Sequence, residues 1–236
     1  MKFLNLHKNE FIALSLALGL SFVLYGNSIK GDFVSDDKLV IVQNPFVSGN
    51  FSDFFKAFSA PYYYNQPHAG LYRPLTTASY NLNKVFSSES FGFHLINVLL
   101  SAFNGFLVFL LASRFTSQRV TLGFTGKRSA FLAMILFLLL PIHSEAVSAI
   151  VGRAELLALF FSVLSLLCVL DKRYTFASLL LLMGLLSKET AAGFFLVFLY
   201  LWKFQEKESL KKIVHGLLYF VPSIVIYAVM RASVLG

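Results

Sequence analysis

Residues 129–170 read SAFLAMILFLLLPIHSEAVSAIVGRAELLALFFSVLSLLCVL, and this stretch decides the fold. Two apolar runs, 129–151 and 155–170, meet at Gly152-Arg153-Ala154, and each approaches the roughly 17–25 residues with which an α-helix crosses hydrocarbon. Charged groups stand only around the junction, at Glu145, Arg153 and Glu155. The pattern reads as two membrane spans joined through a polar turn.

Outward from that pair the same pattern repeats. Apolar runs occur at 11–29, 91–113, 174–187, 190–202 and 213–230, which with the first two makes seven expected spans of an all-α membrane protein. Between 174 and 202 the run is split by Ser187-Lys188-Glu189. Two charges at mid-bilayer would each cost about 2.5–3.5 kcal/mol, so two short helices turning at Lys188 and Glu189 are the cheaper reading. The run near 11–25 follows Lys2 and Lys8, but Tyr25-Gly26-Asn27 makes a poor cleavage site, and it reads as a retained anchor.

Composition agrees with a chain built for lipid. It is 57% hydrophobic and only 14% charged, against roughly 25% charged in soluble domains. The net charge of +8 does not point to nucleic acid, because Lys and Arg flank apolar runs instead of massing on one segment. The single cysteine, Cys168, lies inside an apolar run and excludes a disulfide framework or a cysteine-based metal site within the chain.

Cation placement gives an orientation. One set of span ends carries Lys2, Lys8, Arg114, Arg119, Lys127, Arg128, Lys172, Arg173, Lys203, Lys207, Lys211 and Lys212, twelve in all, whereas the short turns of the other carry only Arg153, Lys188 and Arg231, three in all; the long segment 30–90 on that other side is a weak topological voter. The positive-inside rule puts the first set in the cytoplasm. The second end then faces a periplasm or a lumen, the membrane being a bacterial inner membrane or the endoplasmic reticulum. Residues 30–90 form a long first loop on that non-cytoplasmic side. Within it, Phe51, Phe54, Phe55 and Phe58 stand at helical spacing, which suits either an interfacial helix or a small packed cap. A further helix is expected to start at Pro74 and run to Phe86. Asn50-Phe51-Ser52 is a glycosylation sequon on the same side, a triplet that also occurs by chance.

The topology brings Asp36, Asp37, His68, Arg73, His94, His143, Glu145, Arg153, Glu155, Lys188, Glu189 and Arg231 to one face. Ionisable groups at span ends are costly and mark sites, although interfacial anchors and helix-end ion pairs give the plainer account. Arg and Lys can hold phosphate oxygens, and a carboxylate can take a proton from a hydroxyl, so the set suits transfer from an anionic lipid phosphate. His143 and Glu145 diverge on a helix and make a poor metal pair by themselves, while the adjacent carboxylates Asp36 and Asp37 could hold a divalent cation or serve as a polar turn. No Gly-rich phosphate loop, nucleophile elbow or zincin pattern occurs.

Six ordered motifs carry a family resemblance. Phe33-Val34-Ser35-Asp36-Asp37, Tyr72-Arg73-Pro74-Leu75-Thr76, Gly92-Phe93-His94-Leu95-Ile96-Asn97-Val98, Pro141-Ile142-His143-Ser144-Glu145-Ala146-Val147, Gly152-Arg153-Ala154-Glu155-Leu156-Leu157 and Ser187-Lys188-Glu189 resemble the membrane half of the transmembrane and tetratricopeptide-repeat O-mannosyltransferases, within the GT-C glycosyltransferases. The resemblance implies a GT-C-like helical bundle and an inverting transfer of a mannose-like sugar. The donor would be a polyprenyl-phosphate carrier, and the acceptor a hydroxyl of a protein or glycan on the non-cytoplasmic face. It places the catalytic base on Asp36, with Asp37 beside it. By analogy Arg153, Lys188 and Arg231 lie near the donor phosphate, Glu145 and Glu155 orient those cations or the sugar, and Arg73, His94, His143 and Glu189 complete the donor site. Residues 1–236 would be one such domain, incomplete because tetratricopeptide repeats are absent and the family continues with more helices: a fragment, the product of a truncated gene, or one component of a split enzyme whose partner subunit supplies the missing helices. Two other readings stand beside this one: a non-catalytic membrane scaffold and a lipid-linked-sugar transporter.

Overall fold

The computed structural model describes residues 8–116, 126–200, 203 and 209–236. Lys2, Arg119, Trp202 and Lys207, which the sequence reading uses, lie outside the described residues. Among the described residues the chain is helical and contains no strand. The helices are α1 (Lys8–Tyr25), α2 (Phe51–Lys56), α3 (Pro74–Phe86), α4 (Ser90–Thr116), α5 (Gly126–Leu139), α6 (Ser144–Ser148), α7 (Arg153–Leu170), α8 (Tyr174–Ser187), α9 (Phe194–Tyr200), α10 (Leu210–Leu218) and α11 (Val221–Leu235).

Where the seven apolar runs are described they are mostly helical, but they are not seven spans of equal standing. Among the described residues three segments, Lys8–Lys30, Ser90–Phe115 and Ile150–Leu170, are long and apolar enough to cross a membrane, and two bent pairs raise the number to five. The remaining two, Tyr174–Ser187 and Glu189–Tyr200, are shorter. At 14 residues α8 extends about 21 Å, short of a hydrocarbon core of about 30 Å. The run 129–151 is not one helix: Pro141 has no N–H to continue the ladder, and the chain bends by 53° between α5 and the segment containing α6. The run 213–230 bends likewise, by 41°, between α10 and α11. The charged step stops α8 where it is expected to: Ser187 is the last helical residue, Lys188 is extended, and a 3-10 turn starts at Glu189.

Small and hydroxyl residues set the packing, as they do where lipid gives helices no hydrophobic reason to associate. Ala13 and Ala17 of α1 are fully buried in a cluster with Phe109 of α4 and Met134 of α5. Asn104 Nδ2 donates to the Leu156 carbonyl at 3.0 Å between α4 and α7, and Ser165 Oγ donates to the Ala177 carbonyl at 2.6 Å between α7 and α8.

Cross-helix contacts fix the ends. Arg153 at the start of α7 donates to Asn97 near the start of α4, while Asp171 just past α7 pairs with Arg114 near the end of α4, so these helices run parallel. The end of α8 meets the start of α3, where Thr76 Oγ1 donates to the Ser187 carbonyl at 2.9 Å. The loops and the candidate site therefore share one end of the bundle, and Arg114, Asp171 and the turn to α8 mark the other.

Residues 30–90 are a packed cap over that first end. Val40, Ile41, Val47, Tyr62 and Tyr80 bury themselves with Phe93 of α4 and Ile150 before α7. Within the cap α2 turns its polar side inward: Asp53 is 9% exposed and accepts from Ser48 and Lys56, whereas Phe51 and Phe55 are 67% and 62% exposed. The packing supports the cap reading of the Phe-rich stretch, with an aromatic outer face.

Candidate active site

Six of the twelve ionisable residues anticipated on one face line a cavity of about 620 Å³ at the capped end. Its wall includes Asp36, Tyr62, Tyr63 and Arg73 from the cap, His143, Glu145, Gly152 and Glu155 from the α6–α7 region, and Lys188 and Phe194 beyond α8. Six of the anticipated site residues, Asp36, Arg73, His143, Glu145, Glu155 and Lys188, share this one wall, although they span 152 positions of sequence (188 minus 36).

The two adjacent aspartates differ completely. Ser35 adopts a positive φ of 47°, and the turn that follows points the carboxyls to different neighbours. Asp37 is fully buried and accepts from Val34 N at 3.1 Å and Val151 N at 3.0 Å, tying the cap to the lead-in of α7. Burial pushes its carboxyl above the usual range, against the pull of those two N–H groups. It is a brace beneath the site, outside the cavity wall. Asp36 is half-buried on the wall, with one oxygen, Oδ2, accepting from Tyr63 Oη at 2.7 Å. Burial first, and then the neighbouring carboxylate, holds the Tyr63 phenol protonated well above its ordinary range, which keeps it a donor.

The cations are paired. Arg73 grips Glu189 with two hydrogen bonds, Nε–Oε2 at 3.1 Å and Nη2–Oε1 at 2.7 Å, and lies 5.1 Å from the centre of the Tyr62 ring. Lys188 Nζ donates to Glu155 Oε1. Consecutive residues Lys188 and Glu189 thus tie α7 to the start of α3.

Arg153, expected beside a phosphate, is instead a buried clamp. Its side chain is 1% exposed, and the guanidinium donates to Asn97 Oδ1, Asn83 Oδ1, the Phe93 carbonyl and the Ser79 carbonyl, at 2.8–3.3 Å, while facing the rings of Tyr80 and Phe93. His94 is also buried and packs its Nε2 against Gly31, away from the wall. His143 does reach the wall, with its ring 4.4 Å from that of Phe137. Arg231, at the end of α11, donates to the Gly70 carbonyl at 3.0 Å and helps close the cap. Among the described residues no three His, Cys, Asp or Glu side chains gather as a metal site would require.

The sequence has named relatives over this same region. It is 33% identical over 184 residues to a protein O-mannosyl-transferase of Caenorhabditis elegans, a match covering 75% of this chain and 26% of the relative. It is 39% identical over 167 residues to protein O-mannosyl-transferase tmtc2 of Xenopus laevis (66% of this chain, 18% of the relative) and 35% identical over 164 residues to TMTC1 of Homo sapiens (66% and 17%). The similarity is thus to the TMTC family and covers 66–75% of this chain. The chain spans about a quarter or less of the length of these TMTC relatives. No family model matches it, and no solved structure does.

Three features of this TMTC-like chain were not singled out from sequence. Tyr63 belongs to a visible aromatic run, but nothing local ties it to Asp36, 27 positions away. Asn97 and Asn83 are the acceptors that hold Arg153, and only the fold brings them together across 56 and 70 positions. The signal that was available is the presence of Asn97 within the motif 92–98, a polar residue inside an apolar run.

Proposed function

We propose that this chain forms the donor-binding membrane domain, GT-C-like over residues 1–236, of a glycosyltransferase acting on a polyprenyl-phosphate sugar. Asp36 is the general base. Its carboxylate takes the proton of an acceptor hydroxyl; the hydroxyl oxygen forms a bond to the anomeric carbon as the bond from that carbon to the phosphate oxygen breaks. The electron pair leaves with the polyprenyl phosphate, and a single displacement inverts the anomeric centre. Tyr63 holds the base in place through Oδ2, and Oδ1 makes no hydrogen bond among the described residues, which suits it to receive the proton. Lys188 and Arg73 on the same wall supply the positive charge that a leaving phosphate needs.

The observation that carries this reading is a single cavity lined by an anchored carboxylate and two cations, in a chain whose relatives are named O-mannosyl-transferases. The sugar is mannose-like, the acceptor a hydroxyl of a protein or glycan, and the working face non-cytoplasmic.

The test is transfer of radiolabelled mannose from a polyprenyl phosphate by the full chain in vesicles. Asp36→Asn lowers the rate by about 10²–10⁴-fold, the usual contribution of a general base, with membrane insertion unchanged. Undiminished transfer by the variant would remove Asp36 from the mechanism. A non-catalytic scaffold is the second reading, favoured by the fact that both wall cations already have carboxylate partners. Failure of the wild-type chain to bind a prenyl phosphate would select it.

A further inference from the structure

We propose that Glu155 is a displaceable counterion, and that a phosphate enters the cavity by taking its place on Lys188. The inference rests on the donor reading above and asks how an anion can bind a wall that has no uncommitted cation.

The wall carries three carboxylates, Asp36, Glu145 and Glu155, against two cations, and Glu189 neutralises one of those cations from behind. A phosphate added to this set meets net negative charge. It binds only where a carboxylate steps aside, which exchanges one anion for another and leaves the local charge unaltered.

The two ion pairs differ in how easily they exchange. Arg73–Glu189 is bidentate, its side chains are 12% and 36% exposed, and an aromatic face backs the guanidinium. Lys188–Glu155 rests on one Nζ–Oε1 contact and is the more exposed pair, at 18% and 46%. A half-exposed carboxylate is rehydrated when it leaves its partner, so a single-contact pair with one side in water exchanges at low cost. Glu155 lies in the first turn of α7, where the helix dipole favours a carboxylate whether or not Lys188 holds it. Lys188 keeps three rotatable donors on a compact ammonium and accepts a phosphate oxygen as readily as a carboxylate. Arg73 stays with Glu189 and fixes the geometry of the segment that carries Lys188.

The experiment is a binding titration of the full chain in detergent at fixed ionic strength, using a short prenyl monophosphate and, in a second arm, inorganic phosphate. Glu155→Gln is expected to tighten prenyl phosphate binding by about two- to fivefold. Glu155→Asp, one methylene shorter, moves it in the same direction by less. Lys188→Met abolishes binding, and so does the Glu155→Gln/Lys188→Met pair, because the gain runs through the freed ammonium. Glu145→Gln removes a wall charge without freeing a cation and gives less than half the effect of Glu155→Gln. If wild type binds and Glu155→Gln binds no more tightly, or if Glu145→Gln matches it, counterion exchange is overturned while the donor site stands. If neither wild type nor Glu155→Gln binds, the donor reading itself is overturned. Inorganic phosphate binding as tightly as the prenyl phosphate would overturn the lipid carrier as occupant.

Discussion

Arg153 carries a full charge into a place where none of its hydrogen-bond partners is charged. Burying a guanidinium costs several kcal/mol, and here four hydrogen bonds to neutral oxygens and two aromatic faces offset it. Those acceptors belong to α3 and α4, so one side chain from α7 joins three helices. Arg153→Met strands Asn97 Oδ1 and Asn83 Oδ1 in a dry site, and is expected to cost about 1–3 kcal/mol for each acceptor left unsatisfied, read as a lower unfolding midpoint in detergent. Arg153→Lys keeps the charge but not the fork, and recovers only part of that loss. An unchanged midpoint for Arg153→Met would end the clamp argument. The contrast with Lys188 shows what single residues reveal in a sequence. Both stand at span ends beside a carboxylate, and both invite the role of phosphate ligand; one faces a cavity and the other is sealed under it. Burial of that kind depends on partners 56 and 70 positions away, which no local pattern records.

At the scale of elements the joint between α6 and α7 is the most constrained piece of backbone around the site. A Cβ on Gly152 would fall on Ala146, 2.7 Å from its carbonyl carbon and its Cα, and backbone there cannot swing aside as a side chain tip would. Gly152→Ala therefore pushes the first turn of α7 away from α6, and with it both Arg153 and Glu155. The expected loss is about 1–3 kcal/mol, accompanied by weaker prenyl phosphate binding as the Lys188–Glu155 register shifts. Wild-type stability together with wild-type binding would show that the joint has slack. Element boundaries were legible where they have a local cause. Proline at the first position starts α3 at Pro74, and the charged step ends α8 at Ser187. The bend at Pro141 was missed because hydropathy counts Pro141 as one residue in an apolar run and is blind to the hydrogen bond it removes. The inward side of α2 was hidden for a related reason: periodicity finds an aromatic stripe but does not say whether protein or lipid receives it.

The whole molecule divides its charges between two ends, and this division was the part of the site most open to reading from sequence. Span ends are where hydrocarbon stops, so ionisable side chains collect there whatever their partners, and six of them line one cavity wall. What the sequence left unsaid was the pairing: Lys188 meets Glu155 across 33 positions and Arg73 meets Glu189 across 116. The sidedness of those ends carries the last prediction. Lys127, Arg128, Lys172 and Arg173 gather at the end marked by Arg114–Asp171, and under the orientation we propose from the positive-inside rule that end is cytoplasmic and the cavity lies beyond the membrane. In a background where Cys168 is replaced by Ala, single cysteines at exposed positions Gln66 and Ser144 should react with a membrane-impermeant maleimide added from the non-cytoplasmic side. Cysteines at Lys127 and Arg173, equally exposed, should react only after the membrane is opened. The decisive comparison is between Gln66 in the cap and Ser144 at the start of α6. Both lie on segments that contribute to one cavity, Asp36 being bound through Tyr63 to the cap and Glu145 following Ser144. Labelling of these two from opposite sides of an intact bilayer is incompatible with that cavity, and with a base and a phosphate seat meeting in it.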